Sequence, residues 1–140
     1  MPTFSFPIRI YYDDTDAGGV VYHSNYLKFM ERARTEWLSH LNLEIMRLAD
    51  VYGIIFVVRA AKIEYFKPAR LSDRLEIHVE LLEMKRSSVV FKQEVMCEDL
   101  CLAVGEVVVV AVNATTFKPC ALPSEVKEVL EPWRTATSVS

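Results

Sequence analysis

Apolar and polar positions split the chain into one helical segment near its start and a long series of strand-like segments after it. Ile8-Arg9-Ile10-Tyr11-Tyr12 alternates and is rich in β-formers, which predicts a first strand. From about Ser24 to Leu41 the spacing becomes helical. Tyr26, Met30, Ala33, Trp37 and Leu41 fall on one stripe flanked by Leu27 and Leu38, while Glu31, Arg32, Arg34 and Glu36 lie off it. Ser24 or Asn25 can cap the start of this helix and Asn42 can help end it. A shorter helical piece, Glu44 to Ala49, ends before Gly53.

Strand patterns follow. Ile54 to Phe66 is one long run stopped by Lys67-Pro68-Ala69. Arg74 to Met84 alternates, with Leu75, Ile77, Val79 and Leu81 on one face and Glu76, His78 and Glu80 on the other. Lys85-Arg86-Ser87-Ser88 reads as a turn before a returning strand, Val89 to Cys97. Leu102 to Val112 is apolar at nearly every position, the pattern of a strand covered on both faces. Pro123 opens a short helix, Ser124 to Leu130, and a polar tail beginning at about 132 is expected to fray after Trp133.

Five strands, one long helix inserted after the first, and no internal repeat predict an α+β domain: an antiparallel sheet curled around a central helix. One helix cannot cover a whole sheet and be covered itself, so an obligate dimer is expected, with an edge strand pairing across subunits. The 140 residues suit a single domain, 1–140, with one core. Hydrophobic residues at 51% and charged residues at 25% exclude a mainly disordered chain. The formal net charge of -3 gives no reason to expect nucleic acid, so any phosphate recognition is local. No secretory signal pattern and no run of about 18 apolar residues occurs. Cys97, Cys101 and Cys120 match no common zinc or redox spacing and read as small hydrophobes, consistent with a reducing cytoplasm.

The chemistry concentrates between the first strand and the helix. Asp13, Asp14 and Asp16, the pair Gly18-Gly19 and His23 share one short loop that feeds into the helix start. A carboxylate can act as base or nucleophile, and helix-start amides can receive negative charge developing on a carbonyl oxygen. On residue types alone the loop could equally be a solvated acidic turn.

The stretch Tyr11-Tyr12-Asp13-Asp14-Thr15-Asp16-Ala17-Gly18-Gly19-Val20-Val21-Tyr22-His23 resembles the hotdog-fold acyl-CoA thioesterases. The likeness continues through Glu31-Arg32-Ala33-Arg34-Thr35-Glu36, Phe56-Val57-Val58-Arg59, Glu64-Tyr65-Phe66-Lys67-Pro68-Ala69-Arg70 and Lys118-Pro119 with Ala121-Leu122-Pro123. The family is the 4-hydroxybenzoyl-CoA thioesterase superfamily, nearest its Tol-Pal-associated subfamily, and the likeness runs from Ile8 to Leu130.

The resemblance implies a hotdog fold and hydrolysis of acyl-CoA to free acid and coenzyme A. Asp16 takes the place of the catalytic carboxylate, and His23 offers a backbone amide to the thioester carbonyl with an assisting side chain. Gly19 and Tyr26 fall beside the substrate, and Val58 and Arg59 line the acyl pocket and pantetheine tunnel, partly from a second subunit. Arg86, Ser87 and Ser88 fall near the nucleotide end of coenzyme A, on a surface that varies within the family. It also implies no metal, no cofactor beyond the coenzyme A of the substrate, an acyl carrier protein as an alternative carrier, and a homodimer or homotetramer.

Two other readings stand beside this one. An enoyl-thioester hydratase or dehydratase would pair His23 with Glu36, and a non-catalytic module would bind an acyl thioester or acyl carrier protein. Asp13 and Asp14 read as structural, as do His40 and His78, and Arg70, Arg74, Lys85 and Arg86 as either solvated or phosphate-holding.

Overall fold

The computed structural model describes residues 3–135. Five antiparallel strands form one sheet in the order β1-β3-β4-β5-β2, where β1 is Phe4–Arg9, β2 Ile54–Tyr65, β3 Arg74–Met84, β4 Ser88–Cys97 and β5 Leu100–Asn113. The 18-residue helix α1 (His23–His40) packs on one face against Leu75, Ile77 and Val79 of β3, Phe91 and Val95 of β4, and Val107 and Val109 of β5. Two short helices, α2 (Ile45–Tyr52) and α3 (Ser124–Leu130), complete the core with Leu48, Val126 and Leu130. The expected α+β sheet and helix order holds.

The first strand lies earlier than its alternation suggests. Pro7 stands inside β1, opposite Glu76, and is tolerated because β1 is an edge strand whose outward side needs no N–H. Tyr11 and Tyr12 leave the sheet instead. Residues Tyr12–Asp14 form a 3-10 turn, and the Tyr11 N–H donates to Asp14 Oδ2 at 3.0 Å.

Along α1 the buried residues include Tyr26, Phe29, Met30, Ala33, Trp37 and Leu38, but Leu27 is 43% exposed. Arg34, expected off the apolar stripe, is buried. Its Nη1 donates to Oε1 of the wholly buried Gln93 at 2.8 Å, and Gln93 Nε2 donates to the Met30 carbonyl at 2.8 Å. The partner comes from another element, which a helical wheel cannot display. At the other end Asn42 adopts φ 62° and the Leu43 N–H returns to the Leu38 carbonyl, the helix stop expected there.

β5 is buried along its α1 side from Ala103 to Ala111, but the opposite side is closed only towards its ends, at Leu102 and at Val110 and Val112, the last beside the 118–122 segment. Glu106 on that side is exposed, so two-sided burial fails over the middle of the strand. β2 holds the opposite edge from β1: twelve residues, bonded to β5 on one side, with Val57 and Val58 exposed at 40% and 51%. At the C-terminus the chain is fastened where fraying was expected. Thr135 N–H donates to the Leu81 carbonyl at 2.7 Å, and Trp133 meets Trp37 edge to face. The rest of the expected tail, 136–140, lies outside the described residues.

Gly105 of β5 marks the closest approach of sheet and helix. A Cβ there would stand 2.8 Å from Met30 Sδ and 2.9 Å from Met30 Cε. Gly105→Val is therefore expected to lower unfolding stability by about 1–3 kcal/mol through overpacking, measured by urea denaturation. An unchanged midpoint would mean that α1 does not sit this close.

Candidate active site

The acidic loop is a tight reversal. Asp16 N–H donates to the Val20 carbonyl and Gly19 N–H to the Asp16 carbonyl, at 2.9 and 3.0 Å, with Gly19 at φ 78°. That backbone conformation suits glycine, because a side chain would clash with its own carbonyl. Asp16 is half-buried. Its Oδ1 accepts the Gly18 N–H at 2.8 Å and the Val20 N–H at 3.4 Å, while Oδ2 accepts no hydrogen bond among the described residues. One oxygen of the carboxylate is thus fixed by the loop, and the other is free to work.

The loop is laced to the residues that lead into α1. Thr15 bridges Val21, the Tyr22 N–H donates to the Asp14 carbonyl at 3.2 Å, and Asn25 Nδ2 donates to the same carbonyl at 3.1 Å. Asn25 is buried and spends its side chain on this tie, so neither it nor Ser24 caps the helix. The N-cap residue is Tyr22, with no side-chain cap. The amides of Tyr22 and Asn25 have acceptors, whereas those of His23 and Ser24 have none among the described residues. Two N–H dipoles at the positive end of an 18-residue helix are left for an incoming oxygen.

Behind them stands an aromatic stack. The exposed His23 ring lies against Tyr65 at 4.5 Å between centroids, and the Tyr65 hydroxyl donates to the His23 carbonyl at 3.3 Å. Tyr26, 1% exposed, meets Tyr65 edge on, and its hydroxyl accepts the Ala69 N–H at 2.9 Å. Tyr26 therefore supports the site from inside: Ala69 carries the carbonyl that accepts the Val21 N–H, and neighbouring Arg70 bridges Val20. Tyr65 lay within a sequence motif but had no assigned role; only its register against α1 reveals it.

The remaining sequence candidates stand elsewhere. Ser88, Val110 and Val57 form one cross-strand row. Tyr65 lies eight residues along β2 from Val57, roughly 25 Å at strand rise. Within one chain Asp16, Gly19, His23 and Tyr26 thus occupy one end, and Val58, Arg59, Arg86, Ser87 and Ser88 the other. Val58 lines a cavity of about 320 Å³ between α1 and β2, with Arg34, Trp37, Phe56 and Phe91. Arg59 falls where β2 skips a pairing between Val58 and Ala60, and with Lys85 and Ser88 it lines a second depression of about 580 Å³. Arg86 and Ser87 give their carbonyls to Leu122 and Ala111, which anchors the turn. Glu36 is exposed and lies thirteen residues beyond His23, roughly 20 Å along α1.

A five-stranded antiparallel sheet backed by one long helix is the hotdog arrangement, and the fold assigns this chain to the hotdog thioesterases. The model of the thioesterase-like superfamily matches residues 11–130, and the chain belongs to that superfamily. It is 46% identical over 124 residues to the acyl-CoA thioesterase YbgC of Haemophilus influenzae, covering 89% of this chain and 91% of the relative. It is 47% identical to the acyl-CoA thioester hydrolase YbgC of Escherichia coli O6:H1, covering 88% and 92%. Among solved structures, a probable thioesterase from Bartonella henselae superposes with TM-score 0.83 at 32% identity, over 87% of this chain and 100% of the other.

Burial pushes the Tyr26 hydroxyl above the ordinary tyrosine range, with its hydrogen bond from Ala69 opposing the shift. The unfolded chain then loses this proton first, so stability is complete below the ordinary tyrosine pKa of about 10 and falls as pH rises past it. Tyr26→Phe should remove that part of the alkaline loss. At neutral pH it should cost about 1–3 kcal/mol by orphaning the Ala69 N–H, with faster amide exchange at Ala69 and Val21. Unaltered exchange at both would show that the tyrosine does not hold the loop.

Proposed function

We propose that the protein hydrolyses acyl-CoA thioesters to the free acid and coenzyme A, with Asp16 and the start of α1 as the reaction centre. The observation that carries this reading is the half-buried Asp16, one oxygen bound by loop amides and the other unpartnered, tied to a helix whose first amides lack acceptors. The membership and the names of its close relatives agree with it.

Asp16 supplies the base or the nucleophile. As base it takes a proton from water as the water oxygen attacks the carbonyl carbon; as nucleophile it attacks that carbon and forms a mixed anhydride that water then opens. In both routes electrons move onto the carbonyl oxygen, which the His23 and Ser24 N–H groups receive. Collapse breaks the C–S bond, and the sulfur leaves as a thiolate that water or the carboxylic proton neutralises. A thiolate is a fair leaving group, so one carboxylate suffices and no metal or added cofactor is called for. His23 holds the entrance through its stack on Tyr65.

The site is completed by a second copy. β2 leaves a twelve-residue edge unpaired and partly apolar, an arrangement proteins ordinarily cover. Antiparallel pairing of two such edges about a two-fold axis places one copy's Asp16 end beside the other's Val58, Arg59 and Arg86–Ser88 end. The acyl chain then enters the partner's 320 Å³ cavity, and the coenzyme phosphates meet Arg59 in the second depression and Arg86 and Ser87 on the adjoining turn, while Ser88, 5% exposed, supports that turn from within. An acyl carrier protein presents the same pantetheine thioester and is the alternative substrate.

Asp16→Asn is expected to lower kcat for thiol release about 10²–10⁴-fold while a thioether analogue binds within a few-fold of its wild-type affinity. Near-normal turnover would discard the assignment. His23→Ala should give a smaller loss, because the backbone amide survives the substitution. Sedimentation should find a dimer; a fully active monomer would end the shared-site arrangement.

A further inference from the structure

The cavity between α1 and β2 is mostly apolar, yet one of its walls is a guanidinium. Arg34 is 9% exposed and makes one side-chain hydrogen bond, Nη1 to Gln93 Oε1. No carboxylate lies within 4.0 Å of it among the described residues; Glu31, whose field reaches it, lines the same cavity but is exposed and solvated at its rim, so the guanidinium has no direct ion-pair partner there. The other N–H groups of Arg34 are not among the fully enclosed, unpartnered atoms, so they are accessible at the cavity wall. Trp37 lines the same wall with its ring, while its indole N–H is enclosed and lacks an acceptor among the described residues.

Burying a cation without a counter-charge is costly, and a buried donor seeks an acceptor. A cavity meant for a plain alkyl tail needs no guanidinium in its wall. We propose that Arg34 is a specificity-determining residue that recognises an anionic oxygen at the far end of the acyl group, so that the cavity takes ω-carboxyacyl thioesters in preference to alkyl ones of the same length. Gln93 is the positioning residue. Its amide holds the guanidinium with Oε1 and grips the Met30 carbonyl with Nε2, fixing one rotamer of Arg34 against the sheet. This rests on the thioesterase reading above, because the acyl group reaches the cavity only from a partner's Asp16.

The test compares glutaryl-CoA with pentanoyl-CoA, matched in chain length, as a ratio of kcat/KM from thiol release. Wild type should favour glutaryl-CoA about 10- to 100-fold, the effect of one charge-assisted hydrogen bond. Arg34→Met should collapse or invert that ratio. Gln93→Glu supplies an internal counter-ion while keeping the core polar, and should also collapse it. A wild-type ratio at or below one would overturn the proposal without any variant. So would a ratio unmoved in whichever variant retains the wild-type circular dichroism spectrum, or one unmoved while the variants dissociate into monomers, which would make Arg34 an interface residue instead. If neither substrate is hydrolysed while Asp16→Asn also changes nothing, it is the thioesterase reading that fails.

Discussion

Everything at the proposed reaction centre depends on one set of ties, those that hold the Asp14–Asp16 loop against the entry to α1. The Asp14 carbonyl receives both the Tyr22 N–H and the Asn25 side chain, and the Ala69 carbonyl receives the Val21 N–H. These bonds fix the chain just before the helix in an extended conformation. An Asn, Ser or Asp at the N-cap ordinarily satisfies the first amides and silences them as an anion site. Here Tyr22 holds that place with no side chain to offer them, Asn25 inside the first turn points back to the Asp14 carbonyl, and the helix is left open where a developing oxyanion would sit. The carboxylate and the amides are thus presented by one hydrogen-bonded unit.

That unit is anchored deeply. Tyr26, Tyr65 and His23 form a continuous aromatic ladder from the core to the surface. Ala69, pinned by the Tyr26 hydroxyl, joins the strand end to the loop. The Arg34–Gln93–Met30 bonds fasten the middle of the same helix to β4. A helix held at its start and centre cannot slide along the sheet, so its open amides stay in register with Asp16. The same rigidity leaves β2 with a partly apolar edge that no strand pairs among the described residues.

Much of this was legible in the residues, and the misses share a cause. The strands β3 and β4 and the helix α3 follow patterns that local periodicity carries, and Arg74–Met84 and Ser124–Leu130 fall where the alternation and the proline place them. The errors arise where a distant partner decides. Gln93 on the sheet admits Arg34 to the core, and the ties to Asp14 start the helix at His23, which puts Ser24 and Asn25 inside its first turn rather than at its cap. The edge position excuses Pro7 inside β1. The juxtaposition of Asp16 and the helix start was legible because the loop that joins them is short and carries a distinctive run of residues. The separation of Asp16 from Val58 and Arg59 within a chain could not, since it follows from strand register alone.

The most direct measurement is a crystal structure with a thioether or ketone analogue of an acyl-CoA bound. The account predicts the analogue's carbonyl oxygen about 2.7–3.1 Å from the His23 or Ser24 amide nitrogen, with Asp16 Oδ2 or a water held by it about 3–3.5 Å from the carbonyl carbon. A carbonyl directed away from α1, with Asp16 facing bulk solvent and the ligand seated elsewhere, would contradict it.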